Sequence, residues 1–351
     1  MHDSGEPLAD RVAARTGRAP RLSIVAPCYN EESSLGPFVA RALAAGRAEV
    51  GEALELILVN DGSRDGSWRL INQLALGEPR LVGVNLSRNH GQQLAVSAGL
   101  RLARGERVLI IDADLQDPPE LLSDMMARMD AGYDVVVGRR RSRAGESRFK
   151  RAAADLFYRL LRSSAEVRIP RDVGDFRLMS RRIVDRLNAM PEQDRFLRGM
   201  IPWLGGRQSE ILYDRDARRA GVTAYSLPRM IHLALDGMTS FSTAPLRAAV
   251  VLAGVGIALG ASIAVYALAG FVLGRPERGW TSLALIMVFF GVSQLGCLAI
   301  IGAYIGRIFN QVKGRPLFLI DEVVTHPDVS APAIDPVGGV HTPFAPGAPL
   351  D

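Results

Sequence analysis

The chain places its most reactive side chains where an apolar run ends. In "LIIDADLQDPPE", Leu109 to Glu120, the acids Asp112, Asp114 and Asp117 and the amide Gln116 follow directly on leucine and isoleucine. In extended chain, residues two apart face the same side, so Asp112 and Asp114 project together. Two bare carboxylates held close repel one another and push one pKa upward. A divalent cation removes that conflict. Oxygen donors suit Mg2+ or Mn2+, and such sites combine one or two carboxylates with substrate phosphates. Gln116 adds a further oxygen. The competing reading is an acidic turn capping the helix after Pro118-Pro119, with Asp117 as the cap.

The elements around this stretch argue for the first reading. "RLSIVAP", "LELILVND", "LVGVNLS", "RVLIIDAD" and "YDVVVGRR" read as strands, and amphipathic segments between them read as helices. Strands of near-continuous valine, isoleucine and leucine alternating with helices predict an α/β domain with a mostly parallel sheet covered on both faces. Ligands of such sheets gather at the carboxyl ends of the strands. Asn30 and Glu31 follow the first strand, Asp61 the second, Asp112 and Asp114 the fourth, and Arg139 the fifth. From Arg151 to about Gly237 the sequence reads as mixed and helical.

The second half of the chain is oilier. No charged residue occurs from Ala248 to Leu273 or from Trp280 to Gly306. Each run is about 26 residues, or about 39 Å as helix, enough to cross a hydrocarbon core of about 30 Å. The expected organisation is a leader over 1–20, a catalytic domain over 21–226, a juxtamembrane amphipathic helix over 227–244 and two spans within 245–307. A tail over 308–351 is expected to be disordered after about 321, where prolines accumulate without hydrophobic period. The polar first twenty residues predict no signal peptide. Arg247, Arg307, Lys313 and Arg315 against Arg275 and Arg278 bias the main domain toward the cytoplasmic face. Net charge of +5 across 351 residues suits anionic lipid or phosphate, and nothing patterned points to nucleic acid. Cys28 and Cys297 suggest no disulfide framework. Gln294, costly inside lipid, is expected to face another helix across a homo-oligomer.

"SIVAPCYNEE", "LILVNDGSRDGS", "NHGQQLAVSAGL", "DADLQDPPE" and "DVGDFRLMSRR" together resemble the family-2 glycosyltransferases of GT-A fold. With "RFLRGMIPWLGG", "DGMTSFSTAPLR" and two apolar runs, the chain is similar to the polyprenyl-phosphate branch, which includes bactoprenol glucosyltransferases and dolichol-phosphate mannose synthases. The resemblance spans about Arg21 to Pro316. It implies a nucleotide-sugar donor, a polyprenyl phosphate acceptor and inverting transfer at the cytoplasmic face of the membrane. UDP-glucose and undecaprenyl phosphate are the favoured pair, with GDP-mannose or a UDP-amino sugar as alternatives. It also implies that Pro27, Tyr29, Glu31 and Asp61 line the nucleotide pocket, that Asp112 closes it, and that Asp114 and Gln116 hold Mg2+ or Mn2+. Asn60 stands where many relatives carry a second acid, so Asp61 alone is assigned there.

The basic run "RRRSRAGESRFKR" sets seven cations against one glutamate. Arg139, tied to a strand end, is the expected diphosphate ligand, and Arg151 a candidate for the acceptor phosphate, since a guanidinium fork fits phosphate better than an ammonium. The resemblance offers Asp175 as catalytic base. Chemistry assigns it less: a lipid phosphate with a second pKa of about 6 is mostly dianionic at neutral pH, so Asp175 is expected to orient rather than deprotonate. Ser63 and Ser67 read as turn and helix-cap residues, and His90 as a helix-start residue. A processive polysaccharide synthase would need a Gln-x-x-Arg-Trp signature, which Gln193-Asp194-Arg195-Phe196 does not supply. A lipid-binding scaffold would tolerate loss of the acids that stand intact here.

Overall fold

The computed structural model describes residues 19–141, 173–214, 244–273 and 279–329. The first compact unit is built on an eight-stranded sheet: β1 (Leu22–Cys28), β2 (Leu54–Asn60), β3 (Leu81–Leu86), β4 (Arg107–Ile110), β5 (Val135–Arg140), β6 (Val173–Ser180), β7 (Gln208–Tyr213) and β8 (Ile320–Val324). Their order across the sheet is β7-β5-β6-β4-β1-β2-β3-β8. β4, β1, β2 and β3 run parallel, as do β5 and β7. β6 lies antiparallel between β4 and β5, and β8 is antiparallel to β3. The helices of this unit are α1 (Glu32–Val50), α2 (Ser67–Gly77), α3 (Gln92–Leu102), α4 (Leu122–Asp130), α5 (Arg181–Ala189) and α6 (Leu197–Trp203).

The parallel core forms because β1 and β2 offer apolar side chains to both faces: Leu22, Ile24, Leu56 and Leu58 are buried on one side and Val25 and Ile57 on the other. α3 packs so close that a Cβ on Gly99 would stand 2.4 Å from Val25 Cγ1. One charge is buried within this core. Glu55 on β2 is 3 % exposed. It is satisfied by the Ser23 hydroxyl at 2.6 Å, the Arg104 backbone N–H at 2.7 Å and two guanidinium bonds from Arg104 at 2.8 and 3.0 Å. Burial of a carboxylate is tolerable only with such a complete set of partners.

Four strands depart from the sequence expectation. The stretch after Arg151 contributes strands β6 and β7, not helices alone. β6 lies inside the sheet but carries Asp175 and Arg177 among its apolar residues, and the half-exposed edge strand β7, "QSEILY", lacks the apolar continuity that identifies a buried strand. Chain expected to be disordered from about 321 instead forms β8, whose backbone closes the β3 edge and removes unpaired ladder groups. The fourth strand ends at Ile110 rather than Asp114, so Asp112 and Asp114 occupy a turn beyond the strand. The segments over 142–172 and 215–243, including most of the expected juxtamembrane helix, lie outside the described residues.

The second unit contains α7 (Ala244–Val272) and α8 (Trp280–Val312). Ala249–Tyr266 and Ile286–Val312 are long and apolar enough to cross a membrane. The two helices pack on each other through Phe290, which fits against Gly256 and Gly260; a Cβ on Gly260 would meet its ring at 3.1 Å. Cys297 Sγ donates to the Ala249 carbonyl at 3.5 Å. Gln294 is exposed along α8.

Removing Arg104 leaves Glu55 buried without its counter-ion, so Arg104→Ala is expected to destabilise the first unit by about 3 kcal/mol. Arg41→Ala, which breaks an ion pair with Glu120 at side-chain exposures of 35 % and 57 %, is expected to cost under about 1 kcal/mol. Denaturant unfolding of the full chain in detergent, followed by near-ultraviolet circular dichroism, measures both.

Candidate active site

The acids gather where the sheet direction changes. Because β6 runs antiparallel to β4, the start of β6 lies beside the end of β4, with Ile110 paired to Arg177. Continuing that register by two places sets Asp175 opposite Asp112. Asp61 ends β2 on the same edge, since β2 is parallel to β1 and β1 to β4. The acids read from the strand ends therefore converge.

Four consecutive residues entering α3 hold three of those acids. The backbone N–H groups of His90 and Gly91 donate to the two oxygens of Asp61 at 2.6 and 2.9 Å. Gln92 Nε2 donates to Asp112 Oδ1 at 2.7 Å, and Gln93 Nε2 to Asp175 Oδ2 at 3.1 Å. Gly91, at φ 93°, supplies the turn that lets one short segment face all three. Burial raises the Asp61 pKa, against the lowering effect of the His90 and Gly91 N–H bonds. His90, expected as a helix-start residue, sits there, with its own pKa lowered by burial and by Arg88.

Asp175 is 3 % exposed. Arg198 grips it with a fork, Nε to Oδ1 at 2.9 Å and a terminal nitrogen to Oδ2 at 3.0 Å, and Arg177 stands 3.7 Å from Oδ1. Burial pushes its pKa up, but the Arg198 bonds, the charges of Arg198 and Arg177 and the Gln93 bond more than offset this and hold it below the usual carboxylate range. Arg177 itself is pulled down to about 10, by burial and then by Arg198, against the opposing effect of Asp175. Asp175 is thus a fixed anion.

The loop that carries Asp114 and Gln116 is anchored on both sides. Asp114 Oδ1 accepts from the Gln116 N–H at 3.0 Å, and Leu115 between them adopts φ 62°. A leucine in that region stores about 1–3 kcal/mol of strain and persists only where its surroundings hold it. Leu115 packs on the core on one side. On the other, Asp117, 1 % exposed, accepts from Tyr213 Oη at 2.5 Å, with Arg140 at 3.9 Å. Asp117, expected to cap a helix, instead ties the loop to β7 and β5. Burial and then the Asp117 charge raise the Tyr213 pKa, so the phenol stays a donor.

The donor set of Asp112, Asp114 and Gln116 consists of two carboxylates and an amide oxygen, which suits Mg2+ or Mn2+. Among the described residues no group of three His, Cys, Asp or Glu could hold a metal by itself. The protein offers a partial shell, the kind that a diphosphate completes.

The remaining predicted residues divide. Pro27 and Tyr29 lie at the end of β1, Tyr29 being 43 % exposed. Glu31 precedes α1, its Oε2 accepting from Ser34 at 2.8 Å. Ser63 and Ser67 act differently from expectation: their hydroxyls accept the Asn30 and Glu31 N–H groups at 3.0 and 2.9 Å, joining the loops after β1 and β2. Asp65 accepts the Ser67 N–H at 3.0 Å in place of a serine cap. Arg139, the expected diphosphate ligand, pairs with Glu210 on β7 at 2.9 Å, while Arg140 turns toward Asp117. Consecutive residues of β5 face opposite sides of the sheet, so Arg139 and Arg140 diverge. Arg151 lies outside the described residues. Gln92, Gln93, Arg198 and Tyr213 were not singled out from sequence. "NHGQQ" and "RFLRG", conspicuous as motifs, signalled the first three, and no motif signalled Tyr213.

Tyr213→Phe is expected to destabilise by about 1–3 kcal/mol, because the buried Asp117 loses its donor. It is also expected to raise the Mn2+ concentration giving half-maximal activity; a manganese titration of full-length wild type and variant, at matched folding, reads this out.

Residues 23–187 match the family model described as glycosyl transferase family 2. The uncharacterized glycosyltransferase YkcC of Bacillus subtilis is 40 % identical over 306 residues, covering 86 % of this chain and 94 % of the relative. The SfII prophage-derived bactoprenol glucosyl transferase of Shigella flexneri is 37 % identical over 304 residues, covering 86 % of this chain and 97 % of the relative. A crystal structure of glucosyl-3-phosphoglycerate synthase from Mycobacterium tuberculosis, with Mn2+, UDP-glucose and phosphoglyceric acid, aligns over 68 % of this chain and 84 % of its own at 21 % identity and a TM-score of 0.43. The chain belongs to glycosyl transferase family 2 and is a glycosyltransferase.

Proposed function

We propose that the enzyme transfers a sugar from a nucleotide-sugar to a polyprenyl phosphate at the cytoplasmic membrane face, with UDP-glucose and undecaprenyl phosphate as substrates. The observation that carries this is similarity to a bactoprenol glucosyl transferase across 97 % of that relative, a span too long to omit the apolar helices. The two helices suit a chain whose acceptor lives in lipid. Asp61, with Pro27, Tyr29 and Glu31, flanks the nucleoside. Asp112 closes the nucleotide site, and Asp114 and Gln116 would hold Mg2+ or Mn2+, which when bound neutralises charge developing on the departing nucleoside diphosphate.

The residues around Asp175 then decide how the acceptor is treated. An acceptor phosphate oxygen forms the new bond to the anomeric carbon from the face opposite the leaving group. The bond to the diphosphate breaks, and its electron pair leaves with the nucleoside diphosphate. A dianionic phosphate carries no proton that must be removed. Asp175, held below the usual carboxylate range by Arg198 and Arg177, is a poor proton acceptor near neutrality. Its lowered pKa contributes stability that is complete above about pH 4 and is lost only as pH falls through the lowered value. Between pH 5 and 9 Asp175 does not titrate, so it cannot produce a pH dependence there. Catalysis rests on positioning and electrostatics.

The test is transfer of radiolabel into lipid by the purified full chain with undecaprenyl phosphate, using UDP-glucose, UDP-GlcNAc, UDP-galactose and GDP-mannose with and without EDTA. The expected result is a metal-dependent glucolipid from UDP-glucose. Transfer only from another donor replaces the sugar, and no transfer from any donor by folded protein rejects the reading. Asp114→Ala is expected to lose at least about 100-fold in kcat, whereas Asp175→Asn retains measurable turnover at pH 7.5. Equal and complete losses would restore Asp175 as an obligatory base.

A further inference from the structure

The amide of Gln93 is used at both ends. Its Nε2 donates to Asp175 Oδ2 at 3.1 Å, and its Oε1 accepts the Leu197 N–H at 3.0 Å. Leu197 is the first residue of α6, where Phe196 supplies no side-chain cap. Its N–H therefore finds its acceptor on α3. Arg198, the next residue, returns to Asp175 through its own fork. Gln93, Asp175, Arg198 and the Leu197 backbone so form a closed ring across α3, β6 and α6. Gln93 therefore holds both the carboxylate that Arg198 grips and the backbone that carries Arg198. The Arg198 side chain is nevertheless 40 % exposed, against 2 % for Asp175. The arginine covers the carboxylate and turns positive charge outward.

We propose that Gln93 is a positioning residue for the reaction: it fixes the Asp175–Arg198 pair so that Arg198 offers its cation to the phosphate of the acceptor. This rests on the transfer reaction proposed above and deepens it. Without a cation over it, Asp175 would repel a phosphate dianion. Few side chains can replace Gln93. Asparagine is one methylene too short to span both partners, methionine has neither donor nor acceptor, and glutamate keeps the acceptor for Leu197 but turns the donor into a second anion beside Asp175.

Glutamate gives the discriminating experiment, because protonation returns the missing donor. The groups facing position 93 are Asp175 and Arg177 from β6, Arg198 from α6 and, through Gln92, Asp112. Two carboxylates sharing one site raise one pKa of the pair, against the two arginines. In Gln93→Glu, kcat/KM for the acceptor is expected to fall about 10- to 100-fold at pH 8, the loss of a hydrogen bond to a charged group. Relative to wild type at the same pH it is expected to recover several-fold by pH 5.5, while the donor KM stays within about twofold at saturating acceptor. Gln93→Met is expected to show the same loss with no recovery.

All three full-length proteins are assayed in detergent with a thermal midpoint recorded for each. If Gln93→Glu does not fold, Gln93→Asn carries the test through a raised acceptor KM at unchanged donor KM. Acceptor kinetics like wild type in Gln93→Met, or a Gln93→Glu profile parallel to wild type, would overturn the assignment. Absence of transfer by wild type itself would instead reject the underlying reaction, so the two failures are distinguishable.

Discussion

The site depends on keeping Asp175 ionised while almost entirely buried. A carboxylate in that position is costly unless charge and hydrogen bonds meet it, and Arg198, Arg177 and Gln93 do so from three directions. The same requirement fixes much else. β6 must run antiparallel to β4 to bring its third residue beside Asp112. α6 must begin where Gln93 can cap it. The entry to α3 must turn at Gly91 so that one short segment reaches Asp61, Asp112 and Asp175 together. The acids of the site are thus a connected set, and loosening one loosens the others.

A second constraint acts on the loop after β4. Leu115 is held in a left-handed conformation between an Asp114 turn and the buried Asp117–Tyr213 bond. The first brings Gln116 back toward Asp114, and the second fixes the loop to β7. Two carboxylates and an amide can then be presented without a third acid, leaving coordination for the phosphates of a donor. Arg140 belongs to this anchor, which explains why the arginine at the strand end and its neighbour differ in role.

Much of this was legible in sequence, for identifiable reasons. The five strands bearing valine, isoleucine and leucine at nearly every position announced a parallel sheet, and their polar ends marked Asp61, Asp112 and Asp114. β6 and β7 were missed because sequence patterning of the segment after residue 151 reads as mixed and helical, and β7 is half exposed. β8 was missed because five residues next to a proline-rich tail carry almost no periodic signal. Arg139 was read as a diphosphate ligand from its place near a strand end, and its pairing with Glu210 on β7 was hidden because β7 itself carried no strand signal. Gln93 and Arg198 were invisible as partners, since 104 residues separate Gln93 from the Leu197 N–H it accepts. Pairing at such distance becomes readable only once β6 is known to run back beside β4.

In the transfer proposed above the acceptor arrives already ionised, and the protein manages charge rather than removing a proton. The most direct measurement is the pH dependence of kcat/KM with two acceptors on the same chain, a polyprenyl phosphate and the matching phosphonate, whose second pKa is higher. An acid limb near pH 6 is expected with the phosphate, and displacement of that limb upward with the phosphonate by the difference between the two acceptor pKa values. An acid limb that stays in place when the acceptor is changed would belong to a group on the enzyme and would contradict the account.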